Sequence, residues 1–176
     1  MIKIIKTPFY GLKLINNIKY NDNRGYFREI IEEKKIQKKL PFTYISKSKK
    51  NVLRGLHLQT KNPQAKLITV LRGKVFDVAI DLRKNSKTYG KYYSIILSEK
   101  KNYSIYIPEG FAHGFVSMAN NTLMLYQCSN YRNKKSEIGI KWSDKDLGIK
   151  WPKIKFNLSS KDKNNLTLKE YLKRKF

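Results

Sequence analysis

"KVFDVAIDLR", residues 74–83, alternates from end to end. In an extended chain successive side chains point to opposite sides, so Phe76, Val78, Ile80 and Leu82 share one face and Asp77, Ala79, Asp81 and Arg83 share the other. The first face is made for a core. The second carries two carboxylates and a small residue, which fits a polar interior or else solvent. With Gly73 before the stretch and Gly90 after it, the reading is of a barrel strand whose small-residue face lines a cavity.

Short apolar runs of the same kind recur on both sides of it: "MIKIIK" (1–6), "LKLINNIKY" (12–20), "PFTYIS" (41–46), "AKLITVLRG" (65–73), "KYYSIILS" (91–98), "YSIYIP" (103–108), "GFVSMA" (114–119) and "LMLYQCSNY" (123–131). Many short strands at close spacing, punctuated by turn-forming clusters, predict an all-β sandwich or barrel. Two stretches read as helices: residues 26–40, "YFREIIEEKKIQKKL", and residues 165–176, "NLTLKEYLKRKF", whose start is suited to capping. Neither a repeat nor a low-complexity linker divides the chain, which is expected to be one domain over residues 1–176.

Hydrophobic residues make up 40% of the sequence, which suits a globular chain and excludes a disordered one. The apolar runs are too short and too often broken by lysine to span a membrane. The opening "MIKIIKTPFYGLKLINN" lacks the unbroken apolar core of a secretory signal. Cys128 is the single cysteine, so no internal disulfide can form, and a cytoplasmic location is expected. The formal charge of +25 invites a nucleic-acid reading. The lysines are scattered along the chain instead of gathered in one arm, and a solvated basic surface or a small phosphorylated substrate accounts for them as well. Nucleic acid is therefore not the expected partner.

The chain holds two histidines, His57 in "RGLHLQ" and His113 in "PEGFAH". The second, Pro-x-Gly-x-x-His, resembles a conserved motif of cupin barrels in which that histidine binds a metal. At the other cupin ligand positions stand His57, Gln59 and Lys66. An ammonium in place of a carboxylate repels a divalent ion and glutamine is a weak ligand, so no metal site is expected. Two imidazoles and a lysine in one cavity suit proton transfer near neutrality and stabilisation of an oxyanion. That is the equipment for removing a proton beside a carbonyl, as in an isomerase, an epimerase or a lyase.

Seven stretches together resemble the dTDP-4-dehydrorhamnose 3,5-epimerase family: "NRGYFREI" (23–30), "SKSKKNVLRGLHLQ" (46–59), "AKLITVLRGKVFDVAIDLRKNSKTYGKY" (65–92), "IPEGFAHGFV" (107–116), "LYQCSNY" (125–131), "DLGIKWP" (146–152) and "LSSKD" (158–162). The resemblance implies a cupin-type double-stranded β-helix, or jelly-roll, barrel with short flanking helices. It implies inversion of C3 and C5 of a nucleotide-linked 4-keto-6-deoxyhexose, without metal or redox cofactor. The C4 ketone acidifies both neighbouring C–H groups, so a base and an acid on opposite faces of the ring suffice.

Carried over residue by residue, the resemblance makes His57 the base, Asp162 its carboxylate partner, Tyr126 the acid and Lys66 the group that holds the ketone oxygen. Substrate contacts fall on Arg24, Glu29, Arg54, Lys66, His113, Tyr131, Glu137 and Lys161, with Asp77 beside His113. It also implies a homodimer in which Arg24 and Glu29 serve the neighbour's site.

Two positions depart from the family's pattern. Phe42-Thr43-Tyr44 replaces a polar Gln-Asp-Asn run, offering stacking where amides would read the base, and Arg132 replaces the second tyrosine of a pair. The expected substrate is a nucleoside-diphosphate keto sugar, with dTDP as the default and GDP or CDP open. A C3-only epimerase, a 3,4-ketoisomerase and a non-catalytic barrel that binds a glycan or nucleotide are the alternatives.

Overall fold

The computed structural model describes residues 1–174. In chain order the strands are β1 (Lys3–Lys6), β2 (Lys13–Asn16), β3 (Ile18–Asp22) and β4 (Gly25–Glu29), followed by a one-turn helix, α1 (Glu33–Ile36). The barrel strands then run almost without interruption: β5 (Phe42–Ser48), β6 (Leu53–Gln59), β7 (Lys66–Arg72), β8 (Lys74–Asp81), β9 (Tyr92–Ser98), β10 (Tyr103–Ile107), β11 (Phe111–Ser117) and β12 (Thr122–Cys128). A short strand β13 (Glu137–Gly139) and two helices, α2 (Ser160–Lys163) and α3 (Leu168–Lys173), complete it.

Six strands form one sheet in the order β1-β2-β10-β7-β12-β5, and five form a second in the order β13-β6-β11-β8-β9. Every ladder between these strands is antiparallel. The sheets face one another as a cupin-type jelly roll. The apolar layer between them draws Ile68, Val70, Ile105 and Met124 from the first sheet and Val75, Ala79, Leu97 and Phe115 from the second.

Each sheet also has its outer face covered. Phe76, Val78, Ile80 and Leu82 pack outward against Leu147, Leu168 and Trp151 of the C-terminal segment. On the other side Ile36 and Leu40, in and after α1, cover Ile15, Leu67 and Tyr106. The alternation in β8 therefore points its bulky face outward under a lid of chain and its small-residue face into the barrel. Asp77 and Asp81, on that inner face, are both fully buried, which settles their choice between interior and solvent.

The helix expected over 26–40 is mostly absent. Residues 25–29 instead form β4, in which Tyr26 and Phe27 lie opposite Asn21 and Tyr20 of β3. Cross-strand aromatic pairing outweighs the helical spacing of the charges there, and one helical turn survives at Glu33–Ile36. At the C-terminal end Thr167 caps α3 through a capping box with Glu170; residues 175 and 176 of the expected helix lie outside the described residues. Alternation did not announce β6 either, since residues on both of its faces are buried and the polar Arg54, His57 and Gln59 interrupt its apolar run.

Candidate active site

Two glycines let β6 and β11 come unusually close. Gly55 has φ +122°, and a Cβ placed on it would lie 2.5 Å from the Cα of Gly114, a separation no side chain tolerates. The ladder shifts register beside this contact, and His57 lies directly across from His113. Both histidines thus belong to the five-stranded sheet.

Each histidine has an aspartate. Nε2 of His57 is 2.7 Å from Oδ1 of Asp162, close but off the line of an ideal hydrogen bond. Asp162 is brought there by α2, whose N-cap is Ser159. The Ser159 hydroxyl donates to Oδ2 of Asp162 at 2.8 Å and accepts the Asp162 amide at 3.1 Å, and the Gly55 amide donates to Oδ1 at 3.4 Å. Burial works to raise the Asp162 carboxyl, but the close contact with His57 and the hydrogen bond from Ser159 outweigh it and hold it below the usual carboxylate range. Deeper in, Nε2 of His113 meets Oδ2 of Asp77 at 2.8 Å, with both side chains buried.

The opposing six-stranded sheet supplies Lys66 from β7 and Tyr126 from β12. Burial pulls the Lys66 ammonium below its ordinary pKa, and among the described residues no carboxylate lies within ion-pair distance of it. The cavity thus holds a cation without a neutralising partner, suited to a developing oxyanion. Burial, and then the neighbouring Tyr44, push the Tyr126 phenol well above its usual value, so it carries its proton at any physiological pH. Its ring stacks on Tyr44 at 4.6 Å and meets the edge of His113 at 6.2 Å across the barrel. Imidazoles on one wall and a protonated phenol on the other enclose a cavity of about 470 Å³.

Toward the rim the lining turns cationic. Arg54 donates from Nε to the Ser48 hydroxyl at 3.1 Å, while Arg132 and Lys161 both pair with Glu137, Arg132 at 2.9 Å. Burial opposes ionisation of Glu137, yet the two cations bring its carboxyl down to about 2.

The cavity gathers His57, Lys66, Tyr126 and Asp162, and with them Arg54, His113, Glu137 and Lys161. It does not take in Arg24, Glu29 or Tyr131. Arg24 sits in the β3–β4 turn, 86% exposed and paired with Asp22 at 2.6 Å; Glu29 ends the same hairpin, away from the cavity. Tyr131 is 70% exposed and touches the rim through Phe42, at 5.8 Å between ring centroids. Among the described residues no three histidine, cysteine, aspartate or glutamate side chains cluster in a way that could hold a metal ion. Gln59, at a cupin ligand position, is spent on backbone groups of Asn62, Tyr131 and Asn133. The sequence reading missed Ser46, Gln64, Phe115 and Ser159, which also line the cavity. Of these only Ser159 carried a signal, as the serine of a Ser-x-x-Asp helix start.

A family model described as dTDP-4-dehydrorhamnose 3,5-epimerase matches residues 6–170. The chain belongs to the dTDP-4-dehydrorhamnose 3,5-epimerase family. It is 41% identical to the epimerase of that name from Methanothermobacter thermautotrophicus, with 96% of this chain and 95% of the relative covered. It is 42% identical to the one from Salmonella typhimurium, over 92% and 93%. Among solved structures, the dTDP-6-deoxy-D-glucose-3,5-epimerase of Legionella pneumophila in complex with dTDP-4-keto-L-rhamnose superposes with a TM-score of 0.92 at 38% identity, covering 96% of this chain and 94% of that one. The epimerase-family barrel is thus shared nearly end to end. No described helix is long and apolar enough to cross a membrane.

Proposed function

We propose that the protein inverts C3 and C5 of dTDP-4-dehydro-6-deoxyglucose, giving dTDP-4-dehydrorhamnose. The observation that carries this reading is the placement of a carboxylate-backed imidazole, His57 with Asp162, on one sheet and of Lys66 and Tyr126 on the sheet facing it. His57 takes the proton from the carbon beside the ketone, and Asp162 orients the imidazole and balances the imidazolium that results. Lys66 holds the ketone oxygen as it becomes an enolate. Tyr126 returns a proton from the far face, which inverts the centre. His113, oriented by Asp77, closes the inner end of the cavity.

At the rim Arg54 and Lys161 contact the diphosphate, and Glu137 and Tyr131 border the nucleotide. Arg24 and Glu29 reach the substrate only if the β3–β4 hairpin serves another subunit. The exposed aromatic side chains of that hairpin, Tyr20, Tyr26 and Phe27, support a homodimer in which they are covered. A cytoplasmic location fits a chain with a single buried, unpaired cysteine.

The test is proton NMR of dTDP-4-keto-6-deoxyglucose with the protein in deuterated water. Loss of both the C3 and C5 proton signals, with the rhamno-configured product appearing, is the expected result. Loss at C3 alone would assign a single epimerase, and no exchange at either carbon would overturn the reading.

A further inference from the structure

One wall of the cavity is a ladder of aromatic rings that runs from the acid to the solvent. Tyr126, 5% exposed, stacks on Tyr44 at 4.6 Å and 6°. Tyr44 tilts against Phe42 at 5.5 Å, and Phe42 meets Tyr131 at 5.8 Å, where the ladder ends in a ring 70% exposed. The remainder of the rim is cationic. Arg132 gives only its Nε to Glu137, and Arg54 gives Nε to Ser48 and one terminal nitrogen to the Lys47 carbonyl. Each guanidinium therefore keeps at least one terminal nitrogen free for an anion. A ligand with a charged centre and a flat end divides itself between these surfaces, its diphosphate on the cations and its base on the rings.

Of the two amide side chains that line the cavity, one is fully engaged and the other half engaged. Gln59 donates to the carbonyls of Asn62 and Tyr131 and accepts the amide of Asn133. Gln64 gives one N–H to the carbonyl of Asn130, so a single amide edge, one N–H and one oxygen, is left on this side of the cavity. Discrimination between bases needs a pattern of donors and acceptors that a wrong base leaves unpaired. Stacking needs only a π face, which every base has.

We propose that this site holds the base by stacking on Phe42 and Tyr131 and accepts nucleoside-diphosphate keto sugars with little regard to which base they carry. The inference rests on the epimerase reading for the identity of the sugar, but it is tested without turnover. Calorimetric titration of the full chain with dTDP, UDP, CDP, GDP and ADP should give five dissociation constants within tenfold of one another. Phe42→Ala should weaken all five by a similar factor, about fivefold to a hundredfold, and leave the affinity for inorganic pyrophosphate unchanged. A preference above tenfold for one base, or no binding of any of the five, overturns the proposal. So does a Phe42→Ala protein that binds all five as before, or one that loses pyrophosphate in equal measure. If that variant does not fold, Phe42→Gln and the wild-type panel still decide. Failure of the dTDP-linked keto sugar to turn over, with all five diphosphates bound alike, would remove the epimerase reading and leave this one standing.

Discussion

Nε2 of His57 lies 2.7 Å from Oδ1 of Asp162, and the aspartate is fixed from behind by the Ser159 hydroxyl at 2.8 Å. The contact joins a barrel strand to a one-turn helix near the C-terminus, so the base is finished only when the end of the chain docks. Asp162→Asn keeps the shape and removes the charge that favours the imidazolium. We expect kcat to fall about 10²- to 10⁴-fold with KM within a few-fold, measured in steady state on the dTDP-linked keto sugar. A loss smaller than threefold would show that His57 works without its carboxylate.

Base and acid occupy opposite sheets, so they can be silenced separately. His57→Ala should abolish both hydrogen exchange at C3 and C5 and net inversion, because no other group takes the proton. Tyr126→Phe should slow inversion while exchange stays measurable. The hydroxyl it removes has one aligned protein contact, the Met124 sulfur at 3.7 Å, so the fold should lose no more than about 1 kcal/mol. Both rates come from one NMR time course in deuterated water. Exchange and inversion vanishing together in Tyr126→Phe would mean that the phenol also takes part in the first proton transfer.

Lys66 is a partly buried cation whose pKa burial lowers, with no carboxylate at ion-pair distance among the described residues, so it serves the reaction at the expense of the fold. Lys66→Met keeps the length and removes the charge. Its expected signature is a melting temperature equal to or above the wild type, together with a loss of kcat on the order of 10²- to 10³-fold. Calorimetry and steady-state kinetics on the same preparation check both. A variant less stable than the wild type would show that the ammonium is held by attractive contacts in the resting protein.

How much of this was legible beforehand follows from how local each signal is. The alternation of β8 is written in ten consecutive residues, and its two faces separate accordingly, with Phe76 and Val78 outward and Asp77 and Ala79 inward; the inward face, however, packs into the core behind the site and does not itself line the cavity. The strand β4 was hidden because "REIIEEKK" has helical charge spacing, while the pairing of Phe27 with Tyr20 is a cross-strand fact that spacing does not carry. His57, Lys66 and Asp162 were legible through motif positions. Their convergence was not, since it depends on how β6, β7 and α2 close on one another. Ser46 and Gln64 reach the same cavity from β5 and from the loop before β7, and nothing in their immediate sequence distinguishes them from surface residues. Arg24 was named from its motif, yet stands 86% exposed, because a motif marks a residue without placing its side chain.

Asp81 shows what the second inward carboxylate of β8 does, and it yields a pH-dependent prediction. It is fully buried and accepts from the Arg83 Nε and Nη2 at 2.8 and 2.7 Å, from the Ser86 hydroxyl at 2.5 Å and from the Thr88 hydroxyl at 2.6 Å. These bonds pin the 82–90 loop to the end of the strand. Burial alone would raise the carboxyl, but the bonds from Arg83, Ser86 and Thr88 prevail and bring it to about 2. A carboxyl depressed in the folded state stabilises the protein fully above its unfolded pKa of about 3.9, and that stabilisation fades as the pH drops through the folded value. Asp81→Asn should therefore be less stable than the wild type by about 2 kcal/mol at pH 7. The gap should hold down to about pH 4 and narrow toward pH 2, where the wild-type carboxyl also loses its charge. Urea unfolding of both proteins at a series of pH values measures it. A gap of the same size at pH 7 and pH 2.5 would mean that the hydrogen-bond geometry, and not the charge, holds the loop.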